Sequence, residues 1–274
     1  MMPELTPLET AVVERMLAAP GFSATTALRD VASDAGVSDA MVVKLAKKLG
    51  FAGFREMRGR IAAYNALPTA DLHEQLEAGD DAGTTVRKVF RTSIQALEET
   101  LAILDLASFE RAAHFIAEAR QRDFYGLGGS AQIARDVAHK FLRVGVRATV
   151  FDDAHMMLMS AAMLGPGDVA IGFSHSGETG SVIEPIALAR ANGAGTIAIT
   201  NHATSRLART AELVLASTAQ GSPLTSENAA ARIAQLNILD ALFVTVAQRD
   251  AARSTENLRR TMAAVAQKRR QRGG

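Results

Sequence analysis

Cysteine and tryptophan are both absent from the 274 residues. Without thiols there is no disulfide and no thiolate metal site. The six histidines are scattered, with no H-x-x-x-H or similar ligand spacing, so no metal centre is expected. No uninterrupted apolar run approaches the roughly 18 residues that a membrane span needs. The opening MMPELTP carries neither the basic nor the apolar part of a signal peptide. The expectations are therefore no membrane partner and a cytoplasmic location. An excess of either charge is missing too: 30 Lys and Arg face 29 Asp and Glu, leaving a net +1. Any recognition of nucleic acid must then come from a local face rather than from global charge.

What is abundant is apolar residue, 48% of the chain, enough for the core of one large domain or two small ones. The basic residues are also unevenly placed. Lys44, Lys47, Lys48, Arg55, Arg58 and Arg60 fall close together, opposed only by Glu56, and KRRQR at 268–272 ends the chain. The first group coincides with short helical patterns. The second reads as a solubilising tail.

Three regimes follow one another. Residues 4–65 show short helical patterns without convincing strands. A polar passage over 68–84 reads as a linker or exposed turn, and 86–104 as a helix. From about Phe109 onward, short apolar strands alternate with amphipathic helices. Strands are expected at 122–127, 147–151, 168–173, 195–200 and 212–216, and helices at 130–144, 154–164 and 182–189. That alternation indicates right-handed βαβ units and a parallel sheet covered on both faces. The methionines at 156, 157, 159 and 163 are read as core filler.

In the first regime, Leu28, Val31, Ala32 and Ala35 form one apolar stripe at helical spacing. Gly36 suits a helix end that needs a left-handed residue. Ser38 is a good N-cap for a second helix with Val42, Leu45, Ala46 and Leu49 inside. Two short helices across a glycine turn make a helix-turn-helix, whose second helix lies in the major groove. Ser38, Asp39, Ala40, Val43, Lys44 and Lys47 then face outward, with Lys48 beside them. The lysines suit phosphates or guanine acceptors, and Asp39 suits cytosine N4. A plain helical hairpin with a basic solvent face is the competing account.

In the last regime, two strand-end loops stand out. FSHSGETGS, residues 173–181, sets hydroxyls and glycines after a buried strand. Glycine allows close backbone approach, hydroxyls donate to oxyanions, and the following helix N-terminus attracts anions. A phosphate is the best guest. The other loop, YGLGGSA at 125–131, also spells G-x-G-x-x-A through Gly126, Gly128 and Ala131. With Asp152 after the next strand, this is a dinucleotide fingerprint on paper. That reading leaves the 174–179 loop without a task, whereas a phosphosugar uses both loops.

The stretch DVASDAGVSDAMVVKLAKKLGFAGFREMR resembles the N-terminal domain of the RpiR family of bacterial transcriptional regulators, down to the LGFAGF step after the recognition helix. Two positions depart: the family usually has Thr near Met41 and Arg near Lys44. From Phe124 to about Val246 the chain resembles a SIS (sugar isomerase) domain, through SHSGET, DDAHMMLMSAAML and AARIAQLNILDALF. The resemblance implies an all-α helix-turn-helix domain followed by an α/β SIS domain, a parallel-sheet αβα sandwich with flavodoxin-like layering. The expected divisions are 1–77 for DNA binding, 78–108 for a linker and connecting helix, 109–250 for the SIS domain and 251–274 for a basic helical tail.

By family position, Ser130, Ser174, Ser176 and Thr179, with Gly129 and Gly177, would hold the phosphate of a sugar or sugar acid. Ser226 and Glu227 would reach sugar hydroxyls, in a neighbouring subunit or in the same one, and His155 is a further cleft candidate. The resemblance also implies a homodimer or homotetramer on an inverted-repeat operator, with allosteric control and no cofactor. A phosphosugar isomerase on the same sheet domain is the enzyme alternative, with Glu178, Glu184, Glu227, His155 and His175 as candidate bases. An NAD-binding redox sensor is the third.

Overall fold

The computed structural model describes residues 5–19, 22–65, 76–77, 79–219 and 229–271. The chain divides into two compact units, residues 1–75 and 76–274.

The first unit is helical: α1 (Pro7–Ala18), α2 (Leu28–Ala35), α3 (Asp39–Lys48) and α4 (Phe54–Asn65). Thr6 starts α1 with a reciprocal cap. Its N–H donates to Glu9 Oε2 at 2.7 Å while its hydroxyl accepts from Glu9 N, and Pro7 follows at the first helical position. The stripe on α2 buries Val31 and Ala32. Gly36 ends it at φ +67°, a conformation that costs other residues but not glycine. Ser38 caps α3 by accepting from Met41 N, and Val42, Leu45 and Ala46 are buried beneath. Phe54, Met57 and Ile61 of α4 close this core together with Val12 and Met16 of α1. Val43, expected to face outward, is half-buried and packs against the same core.

The second unit begins with α5 (Ala82–Ile103) and α6 (Leu106–Glu118) and continues as β1 (Arg122–Gly126), α7 (Gly128–Arg143), β2 (Thr149–Phe151), α8 (Ala154–Met163), β3 (Val169–Phe173), α9 (Gly180–Ala191), β4 (Gly195–Thr200), α10 (Arg206–Thr210), β5 (Leu213–Ala216), α11 (Ala229–Arg249) and α12 (Ala251–Gln271). The five strands are parallel, in the order β2-β1-β3-β4-β5. Alternation along β1 and β3 sends Phe124, Ile171 and Phe173 to one face, against α6, α7 and α11, and Tyr125 and Ala170 to the other, against α8 and α9. The result is three layers, helix on sheet on helix.

Several boundaries move for local reasons. The helix expected from 86 starts at Ala82, because Asp81 accepts from Thr84 N at 2.7 Å and caps it. It packs on α11 within the sheet unit. The 122–127 strand stops at Gly126, since Leu127 is already the N-cap of α7. The 147–151 strand keeps only its last three residues, at a sheet edge with one neighbour. Of the methionines read as core, only Met157 is buried. Met156, Met159 and Met163 are exposed, because α8 turns that side away from the sheet.

Helix α11 is long and apolar enough to cross a membrane by length and composition. Its apolar side instead faces the sheet core, with Ile238, Leu239, Leu242 and Val246 buried. Helix α12 docks on the end of α7: Asn257 Nδ2 donates to Val144 O at 2.9 Å and Thr261 to Arg143 O at 3.3 Å. Those carbonyls lie where α7 has run out of its own donors.

Candidate functional site

The sheet order places the site. The chain leaves β1 toward β2, then crosses back to lay β3 on the other side of β1. The loops that follow β1 and β3 therefore diverge, opening a crevice at the carboxyl edge where α/β sheets bind ligands. Both loops singled out from sequence lie at this edge: 127–130 after β1 and 174–179 after β3.

Each loop leads into a helix whose start lacks a side-chain cap. Leu127 precedes α7 and Thr179 precedes α9, and neither makes a side-chain cap hydrogen bond. By contrast Thr6, Ser38, Asp81, Asp105, Asp153 and Ser205 all cap their helices, although α2 at Ala27 is also uncapped. The first N–H groups of α7 and α9 thus point to the crevice without a side chain from their own N-cap over them. That arrangement favours an anion.

The hydroxyls of the β3 loop shape it and remain useful. Ser174 is buried; its Oγ accepts from Gly177 N at 3.0 Å and lies 2.9 Å from Thr179 Oγ1. Ser176 is exposed, and its Oγ accepts from Glu178 N at 3.2 Å. A hydroxyl that accepts a backbone N–H still has its own proton to donate. Ser174 and Thr179 share one bond, so one of their two protons stays available. Ser176 keeps its own. The loop is pre-shaped by its oxygens and keeps protons to donate.

Beneath it, the last residue of β4 and those that follow it hold the loop down. Gly177 sits at φ +65°, and a Cβ there would come within 2.0 Å of Ser205 Oγ. Leu207 N donates to Gly177 O at 2.9 Å, and Arg206 N to Glu178 Oε1 at 3.0 Å. Asn201 N and Thr200 Oγ1 both donate to His175 O, at 3.0 and 3.2 Å. The His175 and His202 rings stand edge to face, 6.0 Å apart. Thr200, Asn201 and Ser205 went unremarked in sequence. The signal was there in Gly177, whose left-handed turn has to rest on something.

The first loop explains its own glycine pattern. A Cβ on Gly126 would lie 3.1 Å from the Ser130 carbonyl carbon and 3.2 Å from Ala131 N, because α7 starts against the strand. Gly128 turns at φ +53°. Asp152, the acid of the dinucleotide pattern, is ion-paired to Arg135 of α7. Packing therefore accounts for the pattern. Gly129 and Ser130 are half-buried in the first turn of α7, at the crevice.

Among the proposed bases, Glu178 is engaged with the start of α10, Glu184 is exposed on α9, and His155 is exposed in the first turn of α8. Ser226 and Glu227 lie outside the described residues. Among the described residues no group of three or more His, Asp or Glu could hold a metal. The buried carboxyl of Asp123 is pushed up by burial, but it sits low on β1, bonded to Gln121 at 2.6 Å and to Ser160 of α8. It ties α8 to the sheet and is no part of the crevice.

In the helical unit, Ser38, Asp39, Ala40, Lys44 and Lys47 are exposed along one side of α3. Lys48 differs. Its ammonium donates to Glu9 Oε2 at 2.6 Å, joining α3 to α1. That bond is the largest cause holding the Glu9 carboxyl down at about 2, followed by the Thr6 backbone N–H. Arg58 is likewise turned inward, donating to Thr26 O at 2.9 Å.

Comparisons with known proteins agree with both units. The family model for the helix-turn-helix domain of the rpiR family matches residues 1–67, and the SIS domain model matches residues 115–245. The solved structure of the Vibrio vulnificus NanR protein complexed with ManNAc-6P has a TM-score of 0.63 at 23% identity, covering 97% of this chain and 95% of that one. Phosphoheptose isomerase GmhA from Neisseria gonorrhoeae shares the sheet unit's fold, with a TM-score of 0.52 at 20% identity over 61% of this chain and 100% of that one. The HTH-type transcriptional regulator RpiR of Escherichia coli strain K12 is 41% identical over 261 residues, 95% of this chain and 88% of the relative. With both domain models matched in the same order and that identity along nearly its whole length, the chain belongs to the rpiR family of helix-turn-helix transcriptional regulators.

Proposed function

We propose that this regulator senses a phosphorylated sugar or sugar acid in the crevice between the β1 and β3 loops, and that occupancy changes its affinity for operator DNA. The observation that carries the reading is the β3 loop itself. The Ser174 and Ser176 oxygens accept backbone N–H groups, while Ser176 and one member of the Ser174–Thr179 pair keep a proton to donate, beside two helix starts without side-chain caps. Ser130, Ser174, Ser176 and Thr179 would meet the phosphate, with the Gly129 and Gly177 backbone alongside. Glu227 stays a candidate for the sugar hydroxyls. NanR, which shares the fold, was solved with a sugar phosphate, in keeping with this class of guest.

On the DNA side the proposed surface is Ser38, Asp39, Ala40, Lys44 and Lys47. Lys48, a candidate by sequence, is better placed as the strut between α3 and α1. A symmetric dimer would set two such helices on an inverted repeat.

A polar ladder supports communication. From His175 O it runs to Asn201 N, from Thr200 O to Ser217 N at 2.9 Å, and from Ser217 Oγ to Asn201 Oδ1 at 3.1 Å. Thr218 N then donates to Thr100 Oγ1 of α5 at 3.0 Å. A displaced β3 loop thus has a bonded route to the first helix of its unit.

A regulator rather than an isomerase is favoured by the attached DNA-binding unit and by the engagement of Glu178 with α10. Isothermal calorimetry on the full chain tests this. At least one hexose or pentose phosphate should bind, its dephosphorylated sugar should not, and no product should accumulate. Steady turnover would make the chain an isomerase.

A further inference from the structure

The near neutrality of the chain hides a separation of charge. Residues 257–274 hold six Lys and Arg and no Asp or Glu, while the rest of the chain holds 24 against 29. Five of the six fall on α12, which runs to Gln271. More cations meet them where α12 docks. Gly145, at φ +85°, leaves room for Asn257, so the turn after α7 lies against the helix. That brings the segment with Arg143 and Arg147 to a helix that carries Arg253 and Arg260. Arg147, Arg253 and Arg260 are exposed and form no ion pair among the described residues. The nearby acids are already engaged. Asp250 caps α12 by accepting from Arg253 N at 3.0 Å, and Glu256 accepts twice from Arg259 at 2.8 Å.

Helix stability alone does not account for this patch. Cations near a helix C-terminus complement its dipole, which suits Lys268, Arg269 and Arg270. Arg253 lies in the first turn of α12, where the same dipole disfavours a cation, and Arg147 lies on no helix. Past Thr261 the helix is not packed either, since Met262 to Ala266 are all exposed.

A polyanion fits such a surface, and this regulator's own ligand is one. The helical unit, residues 1–75, holds eight Lys and Arg against nine Asp and Glu. Of those cations Lys48 and Arg58 are turned inward. Few are left to meet phosphates, although phosphate contacts supply a large share of a regulator's affinity for DNA.

We propose that Arg147, Arg253 and Arg260, continued by Lys268, Arg269 and Arg270, form a second DNA contact that holds the phosphate backbone outside the half-sites read by α3. The contact carries no sequence information and adds affinity by releasing counterions. It rests on operator binding through α3, and the test separates the two.

Two full-length variants are compared with wild type. One combines Arg147→Gln, Arg253→Gln and Arg260→Gln; the other adds Lys268→Gln, Arg269→Gln and Arg270→Gln. Fluorescence anisotropy is read over a salt series on two duplexes cut from the footprinted DNA upstream of the protein's own gene. The short one ends at the half-sites, and the long one extends a helical turn beyond them on each side. Wild type should prefer the long duplex at least tenfold, with a salt slope steeper by about two units, at nearly one unit per phosphate. The triple variant should lose part of that preference and the sextuple variant all of it. Both should keep the affinity for the short duplex, the melting temperature and phosphosugar binding of wild type. Lys44→Ala with Lys47→Ala should instead weaken both duplexes alike, which tells a failed recognition helix from a failed second contact. Equal affinity of wild type for the two duplexes would overturn the proposal. So would a sextuple variant that keeps the preference, leaving the patch to solvent or to the chain's own acidic surface. An equal loss on both duplexes would also overturn it, placing these cations within the half-site contact.

Discussion

The hydroxyl of Ser174 shows how a residue chosen for one role carries two. Being buried and bonded to Gly177 N, it fixes the turn that leaves Ser176 exposed and holds Thr179 by its hydroxyl. Its loss would damage shape as well as affinity. Gly177 is the sharper probe, because its backbone is left-handed and a methyl group would collide with Ser205. Gly177→Ala should therefore displace the loop while leaving the sheet alone. We expect phosphosugar affinity to fall at least tenfold in calorimetry, with the melting temperature lowered by only a few degrees, since the strain is local and of order 1–3 kcal/mol. Retained affinity would show that the loop is not the phosphate site.

Among the elements, α3 divides its lysines between two tasks. Lys44 and Lys47 are exposed, whereas Lys48 is bonded to Glu9 of α1. Sequence spacing placed all three on one basic patch, because periodicity reports a face and says nothing of a carboxylate arriving from another helix. The structure predicts that they separate in experiment. Lys44→Ala with Lys47→Ala should weaken operator binding strongly and lower the salt slope by about two units where both meet phosphate. Lys48→Ala should leave the salt slope unchanged and act on thermal stability instead, measured by scanning calorimetry. An equal loss of slope from Lys48→Ala would return it to the DNA surface.

At the scale of the whole molecule, order and class were legible while local polarity was not. The helix-turn-helix could be read because Ala32, Gly36, Ser38 and Val42 each have a local reason that also serves the packing. The parallel sheet followed from apolar runs at regular intervals, and the β3 loop from hydroxyl density. Less visible were features that need a partner distant in sequence: Ser205 under Gly177, Thr218 on Thr100, and the outward turn of Met156, Met159 and Met163. Hydrophobicity alone does not distinguish a helix side that meets the sheet from one that faces away. The crevice and the α3 face are expected to be energetically coupled, and a fluorescence-anisotropy titration tests it. The DNA upstream of the protein's own gene is titrated with the full chain, with and without a saturating phosphosugar that binds in calorimetry. Coupling of 1–3 kcal/mol predicts an operator Kd shifted roughly 5- to 150-fold, with the phosphosugar Kd shifted by the same factor when DNA is bound. Identical operator affinity with the crevice empty and full would contradict it.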